Sequence, residues 1–194
     1  MSATDRGHFL RSTSKAAGIV LAGIIAFCAA SWTGGPVTRP SLPESVESWV
    51  IPNYHLLRPD LASGGQPTES GLPWLDALGF RTIIDLRAPS EGTAAEEAAV
   101  RAAGLRYVSV PVTPETFGRE DVEAVAKVLA EPRTGPTLLH CVSGNRAAGL
   151  WAALQVREGR PFAEAEAEGR KAGLQSPAMI AAVRRVAGPA AETP

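Results

Sequence analysis

The stretch Pro136-Thr137-Leu138-Leu139-His140-Cys141-Val142-Ser143-Gly144-Asn145-Arg146-Ala147-Ala148-Gly149-Leu150-Trp151 limits what this chain can fold into. Residues 136–142 are a short apolar run after Gly135, the pattern of a strand buried on both faces in a parallel sheet. Ser143-Gly144-Asn145 is a turn cluster. From Arg146 onward Ala, Leu and Trp occupy nearly every face, which reads as a buried helix ended by Gly159 and Pro161. The expected unit is strand, tight loop, helix, with Cys141 at the strand's end and Arg146 in the helix's first turn.

Such a unit has chemistry built into it. The first amides of a helix lack intrahelical partners, and the macrodipole makes that end positive. A tight loop aims further N–H groups into the same hollow and forms an anion nest. A guanidinium adds a planar fork that matches a phosphate or sulfate edge. A thiol placed there is favoured as thiolate. Each feature also has a plain structural reading. A free Cys is often a small buried hydrophobe, Gly-Asn is often only a turn, and an Arg in a first turn can be surface decoration. Their combination points to an oxyanion site with a nucleophile.

His140-Cys141, the Ser-Gly loop and Arg146 resemble the signature of cysteine-dependent protein phosphatases. The chain is similar in detail to the bacterial beta-lactamase-hydrolase-like phosphatase-like domains and to compact atypical dual-specificity phosphatases. Ser63-Gly64-Gly65-Gln66-Pro67, Arg81-Thr82-Ile83-Ile84-Asp85-Leu86-Arg87 and Tyr107-Val108-Ser109-Val110-Pro111-Val112 carry the resemblance over about residues 53–186. It implies Cys141 as nucleophile and Arg146 as phosphate clamp. It places Val142, Ser143, Gly144 and Asn145 around the phosphate. His140, grouped with them, would orient the loop and tune the thiolate, or else be a satisfied core histidine. It also implies a general acid from a mobile loop near residues 111–118, where Glu115 is the better candidate and Asp121 the weaker.

The chain departs from that pattern. The phosphatase signature usually has one more residue between Cys and Arg than the four found here, and four is the length of many rhodanese-like sulfurtransferase loops. Ala147 stands where a hydroxyl residue usually follows the Arg, and no Trp-Pro-Asp acid loop is visible. Three readings therefore stand side by side. The first is a phosphatase acting on a phosphorylated protein or small phosphomonoester through a phosphocysteine. The second is a sulfurtransferase using a Cys141 persulfide. The third is an inactive oxyanion-binding module.

The remaining sequence sets the frame. Residues 1–15 carry Arg6, Arg11 and Lys15, and residues 16–30 are continuously apolar or small. This is the pattern of a secretory signal, with Ala29-Ala30-Ser31 as small residues for cleavage. A retained anchor through residues 16–35 is the alternative, and either would place the domain outside the cytoplasm. Residues 32–50, with Gly34-Gly35-Pro36, Pro40 and Pro43, read as a linker. A catalytic domain is expected over 51–188 and a frayed tail over 189–194. The net charge of -1 gives no nucleic-acid footprint. Three His and two Cys in no ligand-spaced cluster suggest no metal, and no cofactor is expected. A monomer is the simplest expectation.

Alternating strands and helices predict a three-layer α/β fold with a four- to five-stranded, mainly parallel sheet. Strand candidates lie at 54–57, 61–63, 82–86, 105–110 and 136–142, with the first two forming an edge hairpin. Helices are expected at 68–78, 93–103 (opened by a Thr93…Glu96 capping box), 119–131, 146–158, 161–172 and 177–186. Ser176 and Pro177 supply N-cap and N1 of the last helix. Asp85 and Arg87 at a strand's carboxyl end either face the ligand crevice or are occupied structurally, Asp85 capping a loop and Arg87 pairing with a carboxylate.

Overall fold

The computed structural model describes residues 49–188. The expected signal or anchor, most of the linker and the tail lie outside the described residues. Five strands form one sheet: β1 (His55–Arg58), β2 (Leu61–Gly64), β3 (Thr82–Asp85), β4 (Arg106–Ser109) and β5 (Thr137–His140). Their order is β1-β2-β5-β3-β4, antiparallel only between β1 and β2. The mainly parallel sheet and its edge hairpin are as expected.

The α-helices that lie wholly among the described residues are α1 (Thr93–Ala102), α2 (Arg119–Ala130), α3 (Asn145–Arg157), α4 (Phe162–Lys171) and α5 (Pro177–Ala187). The expected helix at 68–78 is only a 3-10 turn, Leu72–Trp74. Gly71 and Pro73 explain the difference, since one weakens a helix and the other removes a donor from it. Ser176 caps α5, its side chain accepting from the Met179 amide. The Thr93…Glu96 capping box does not form. Gly92 is the N-cap, with no side-chain bond, and Glu96 turns into the interior.

Strand side chains alternate between faces, and the core divides accordingly. Ile84, Leu86, Leu139 and Cys141 pack with residues of α2 to α5, whereas Ile83, Leu138 and Tyr107 pack with Val100 of α1 and with Ile51, Leu75 and Phe80. Three layers result. The small residues that line α3 and α4 let these helices approach closely. A Cβ on Gly169 would lie 3.0 Å from the Ala152 Cβ and 3.2 Å from the Ala148 carbonyl oxygen.

The parallel register sets Gly64, His140 and Asp85 in one row across β2, β5 and β3. The segments that leave these strands emerge together at the carboxyl edge of the sheet, where ligands bind in open α/β folds. Gly169→Val is expected to lower stability by about 1–3 kcal/mol through overpacking against α3. Urea unfolding should show this as a lowered midpoint with an unchanged m-value.

Candidate active site

The loop after β5 is built by bonds that turn its carbonyls outward. The Val142 carbonyl accepts from the Gln66 amide at 3.1 Å. The Ser143 carbonyl accepts from Asn53 Nδ2 at 3.1 Å. Every peptide bond described is trans, so each outward carbonyl sends the next N–H inward. The amides of Ser143 and Gly144 therefore face the hollow. The Gly144 amide donates to Cys141 Sγ at 3.2 Å.

Gly144 has φ +91° and begins α3 as its N-cap. A Cβ there would lie 3.3 Å from the Gly64 carbonyl carbon, so both the left-handed conformation and the close approach to β2 favour glycine. Cys141 is 1 % exposed, yet its sulfur is not sealed in hydrocarbon. The Gly144 amide reaches it.

Arg146 is braced from behind. Its Nη1 donates to Glu91 Oε2 at 2.8 Å and to the carbonyls of Val112 (3.1 Å) and Leu86 (3.3 Å), and its Nη2 donates to Glu91 Oε1 at 2.7 Å. A guanidinium has five N–H donors. These contacts leave the Nε–H and one Nη2–H, which lie together on one edge, the edge that matches an oxyanion. The hydrogen bond to Glu91 raises the Arg146 pKa and lowers that of Glu91. The brace is therefore intact at neutral pH and is lost as the pH falls through the depressed Glu91 pKa.

A second charged cluster lies beneath. Asp85 and Arg87 are fully buried, as is His140, and Glu96 is 3 % exposed. Arg87 Nη2 reaches Asp85 Oδ2 and Glu96 Oε2, each at 2.6 Å. The Tyr107 hydroxyl donates to Asp85 at 2.7 Å. His140 Nε2 lies 2.9 Å from Glu96 Oε1, and Nδ1 lies 3.4 Å from the Cys141 carbonyl oxygen. Burial alone would raise the Asp85 pKa, but the bonds from Arg87, the charge of His140 and the Tyr107 hydroxyl outweigh it and the net shift is downward. Burial and the bond to Asp85 both push the Tyr107 hydroxyl up. Asp85, Glu96 and His140 present donor atoms within 4.8 Å of one another. The guanidinium of Arg87, bonded to both carboxylates, is the cation these groups hold.

These positions correct parts of the sequence reading. Arg87 does not face the hollow, because alternation beyond β3 returns it to the α1 side, where it pairs with carboxylates. His140 likewise sits behind the loop rather than on a substrate's surface. The Asn145 side chain is used for architecture, its Oδ1 accepting from the amides of Gln175 (3.3 Å) and Ser176 (3.4 Å) ahead of α5. Val142 and Ser143 stay at the exposed rim. Glu115 is not brought to the sulfur. It stands on the surface with its carboxyl bonded to Thr113, a contact that lowers its pKa. Asp121 accepts from the Gly118 amide at 2.9 Å and caps α2.

Glu91, Tyr107 and Asn53 had no part in the site as the sequence suggested it, and Glu96 was expected only as half of a capping box. Glu91 lies 55 positions from Arg146, and no spacing rule joins them. A polar cavity of about 280 Å³ adjoins the loop, lined by Asn53, His55, Ser143, Asn145, Gly173 and Gln175.

Residues 54–183 match the profile of a family described as DSP-PTPase phosphatase fused to NAD+ kinase. A beta-lactamase hydrolase-like protein of Xylella fastidiosa is 39% identical over 105 residues, 52% of this chain and 24% of the relative. The dual specificity protein phosphatase TpbA of Pseudomonas aeruginosa is 30% identical over 129 residues, 62% of this chain and 56% of the relative. The chain thus spans about a quarter of the first of these relatives. Among solved structures, a DUF442 protein of Shewanella putrefaciens superposes with a TM-score of 0.60 at 25% identity, covering 73% of this chain and 95% of that one. TpbA in complex with phosphotyrosine superposes at 0.59 with 20% identity, covering 81% and 92%, a likeness of fold.

Two substitutions test the geometry. Arg87→Leu strands two buried carboxylates and should cost about 3–5 kcal/mol in urea unfolding. Glu91→Ala removes only a partly exposed ion pair, worth about 0–1 kcal/mol to the fold. It unbraces Arg146, so affinity for vanadate should fall about tenfold, the equivalent of about 1.4 kcal/mol, by competition titration.

Proposed function

The chain belongs to the DSP-PTPase phosphatase family, and on that premise we propose that it is a cysteine-dependent phosphatase acting on a phosphomonoester. The observation that carries the reading is the shared hollow: the Cys141 sulfur, the inward amides of Ser143 and Gly144, and the free edge of a braced Arg146 converge there.

The Cys141 thiolate attacks phosphorus in line. The S–P bond forms as the bond to the leaving oxygen breaks. The amides and the Nε/Nη2 edge of Arg146 hold the equatorial oxygens, where charge must be stabilised. Water then attacks phosphorus and releases phosphate, returning the thiolate. Glu115 remains the candidate proton donor, and its loop must bring it inward to serve. The polar cavity beside Ser143 and Asn145 suits the rest of a polar substrate. Phosphotyrosine, with which TpbA was solved, is a fitting probe.

One observation favours a persulfide reading: the four-residue spacing from Cys141 to Arg146. Intact mass separates the two, because incubation with an aryl phosphate adds phosphate to Cys141 whereas thiosulfate adds one sulfur. Phosphate binding without any adduct would select an inactive binding module.

Export is part of the proposal. The basic flank and the apolar run at 16–30 support it, and no helix among the described residues is long and apolar enough to cross a membrane. Fusion of residues 1–50 to a reporter active only outside the cytoplasm tests it, and an inactive reporter removes it.

Cys141→Ser should abolish phosphate release from phosphotyrosine while vanadate still binds. Release at a rate within tenfold of the parent would overturn the reading.

A further inference from the structure

The cavity beside the loop is walled by hydrogen-bonding side chains. Ser143 and Asn145 bracket Gly144, whose amide reaches the Cys141 sulfur at 3.2 Å, so two of the walls belong to the loop itself. Asn53 just ahead of β1, His55 at its start and Gln175 ahead of α5 supply the others. Two of the amides are already fixed. Asn53 Nδ2 donates to the Ser143 carbonyl at 3.1 Å, and Asn145 Oδ1 accepts from the amides of Gln175 and Ser176. Asn53 is left with an acceptor oxygen and Asn145 with an NH2 donor. The side chains of Ser143 and Gln175 both donate and accept, and His55 adds its ring nitrogens. A Cβ on Gly173 would lie 3.7 Å from His55 Nε2, so the missing side chain leaves room beside the imidazole. Among the described residues, no Lys, Arg, Asp or Glu lines the cavity, and neither does any Phe, Tyr, Trp or aliphatic side chain.

That lining sorts the groups a phosphate could carry into it. A hydroxyl both donates and accepts, so it matches walls of mixed donors and acceptors. A phenyl ring would cover the same walls without replacing their bonds to water. A second phosphate calls for a guanidinium or ammonium, and the lining holds neither. At about 280 Å³ the cavity falls just short of the range of about 300–1,000 Å³ usual for drug-sized ligands, a size for one small ring or chain and not for a peptide segment. We propose that the substrate is the monophosphate of a small polyhydroxylated alcohol, a sugar or polyol, and that His55 and Gln175 bind its hydroxyls. The inference rests on the phosphatase reading of the hollow and narrows its substrate. The loop amides and Arg146 hold the phosphate whatever it carries, and the cavity selects the ester. Because Asn53 and Asn145 are tied in place by the fold, the polar walls stand ready before the ligand arrives. Phosphotyrosine shares the phosphate contacts alone.

The test measures binding by calorimetry to the chain carrying Cys141→Ser, so that no ester is consumed. The probes are a panel of hexose, pentose and polyol monophosphates, cyclohexyl phosphate as a ring without hydroxyls, and phosphotyrosine. At least one hydroxylated ester should bind about tenfold or more tighter than cyclohexyl phosphate and phosphotyrosine, because walls left without partners penalise both. Gln175→Leu and His55→Leu, each added to Cys141→Ser, should weaken that ester about three- to tenfold, the loss of one hydrogen bond, and leave vanadate and phosphotyrosine within about twofold. Gln175 is exposed and His55 half-buried, so neither change opens the core. Three results overturn the proposal: cyclohexyl phosphate or phosphotyrosine binding as tightly as every hydroxylated ester, inorganic phosphate binding while no hydroxylated ester does, or variants that weaken all ligands alike. Failure of the two readings differs. No phosphate release by the unsubstituted chain from any of these esters overturns the phosphatase reading and this one with it. Release accompanied by tighter binding of phosphotyrosine overturns this one alone.

Discussion

The site depends on where two carbonyls point. Val142 and Ser143 spend their oxygens on Gln66 and Asn53, outside the hollow. Trans peptide geometry does the rest, turning the following N–H groups toward the sulfur. Reversing either bond would put a carbonyl dipole against an anion and cancel the nest. The residues that enforce the geometry are thus neither the nucleophile nor the clamp. They belong to the turn after β2 and to Asn53, whose φ of 52° sets it apart among the non-glycine residues described.

Arg146 shows the same division between contact and support. Its inner edge is free for an oxyanion, while Glu91 and two backbone carbonyls hold the outer one. Holding a long side chain in one rotamer before a ligand arrives lowers the entropy cost of binding. The brace also ties the segments after β3 and β4 to the start of α3, so the clamp is part of the fold's own fastening.

The sequence showed the pieces that follow from local rules. The β5 run, the turn at 143–145, the apolar helix after it and the Ser176 cap all obey period or capping chemistry, and all are present. The periodicity at 68–78 gives no α-helix because Gly71 and Pro73 oppose one, and only a 3-10 turn forms. Glu96 fitted a capping box, but burial beside Arg87 and His140 overrode that local preference. The partners Glu91–Arg146 and Glu96–His140 are joined only by tertiary packing, and a single sequence has no periodicity that pairs them. Arg87 and His140 were left between a place at the ligand and a structural one for a related reason. Proximity in sequence to the loop does not tell which face of the sheet a side chain takes.

The two central strands carry the same apolar residue on both faces: Ile83 and Ile84 in β3, Leu138 and Leu139 in β5. Hydrophobic patterning therefore does little to say which way round either strand sits, and a shift by one residue would bury equivalent hydrocarbon. It would also send imidazole to the ligand side and leave the thiol against α1, with Asp85 and Glu96 facing the wrong neighbours. The interior ions make that alternative expensive. They act as a key that admits one alignment of β5, much as a lone polar residue fixes the pairing of an otherwise uniform coiled coil.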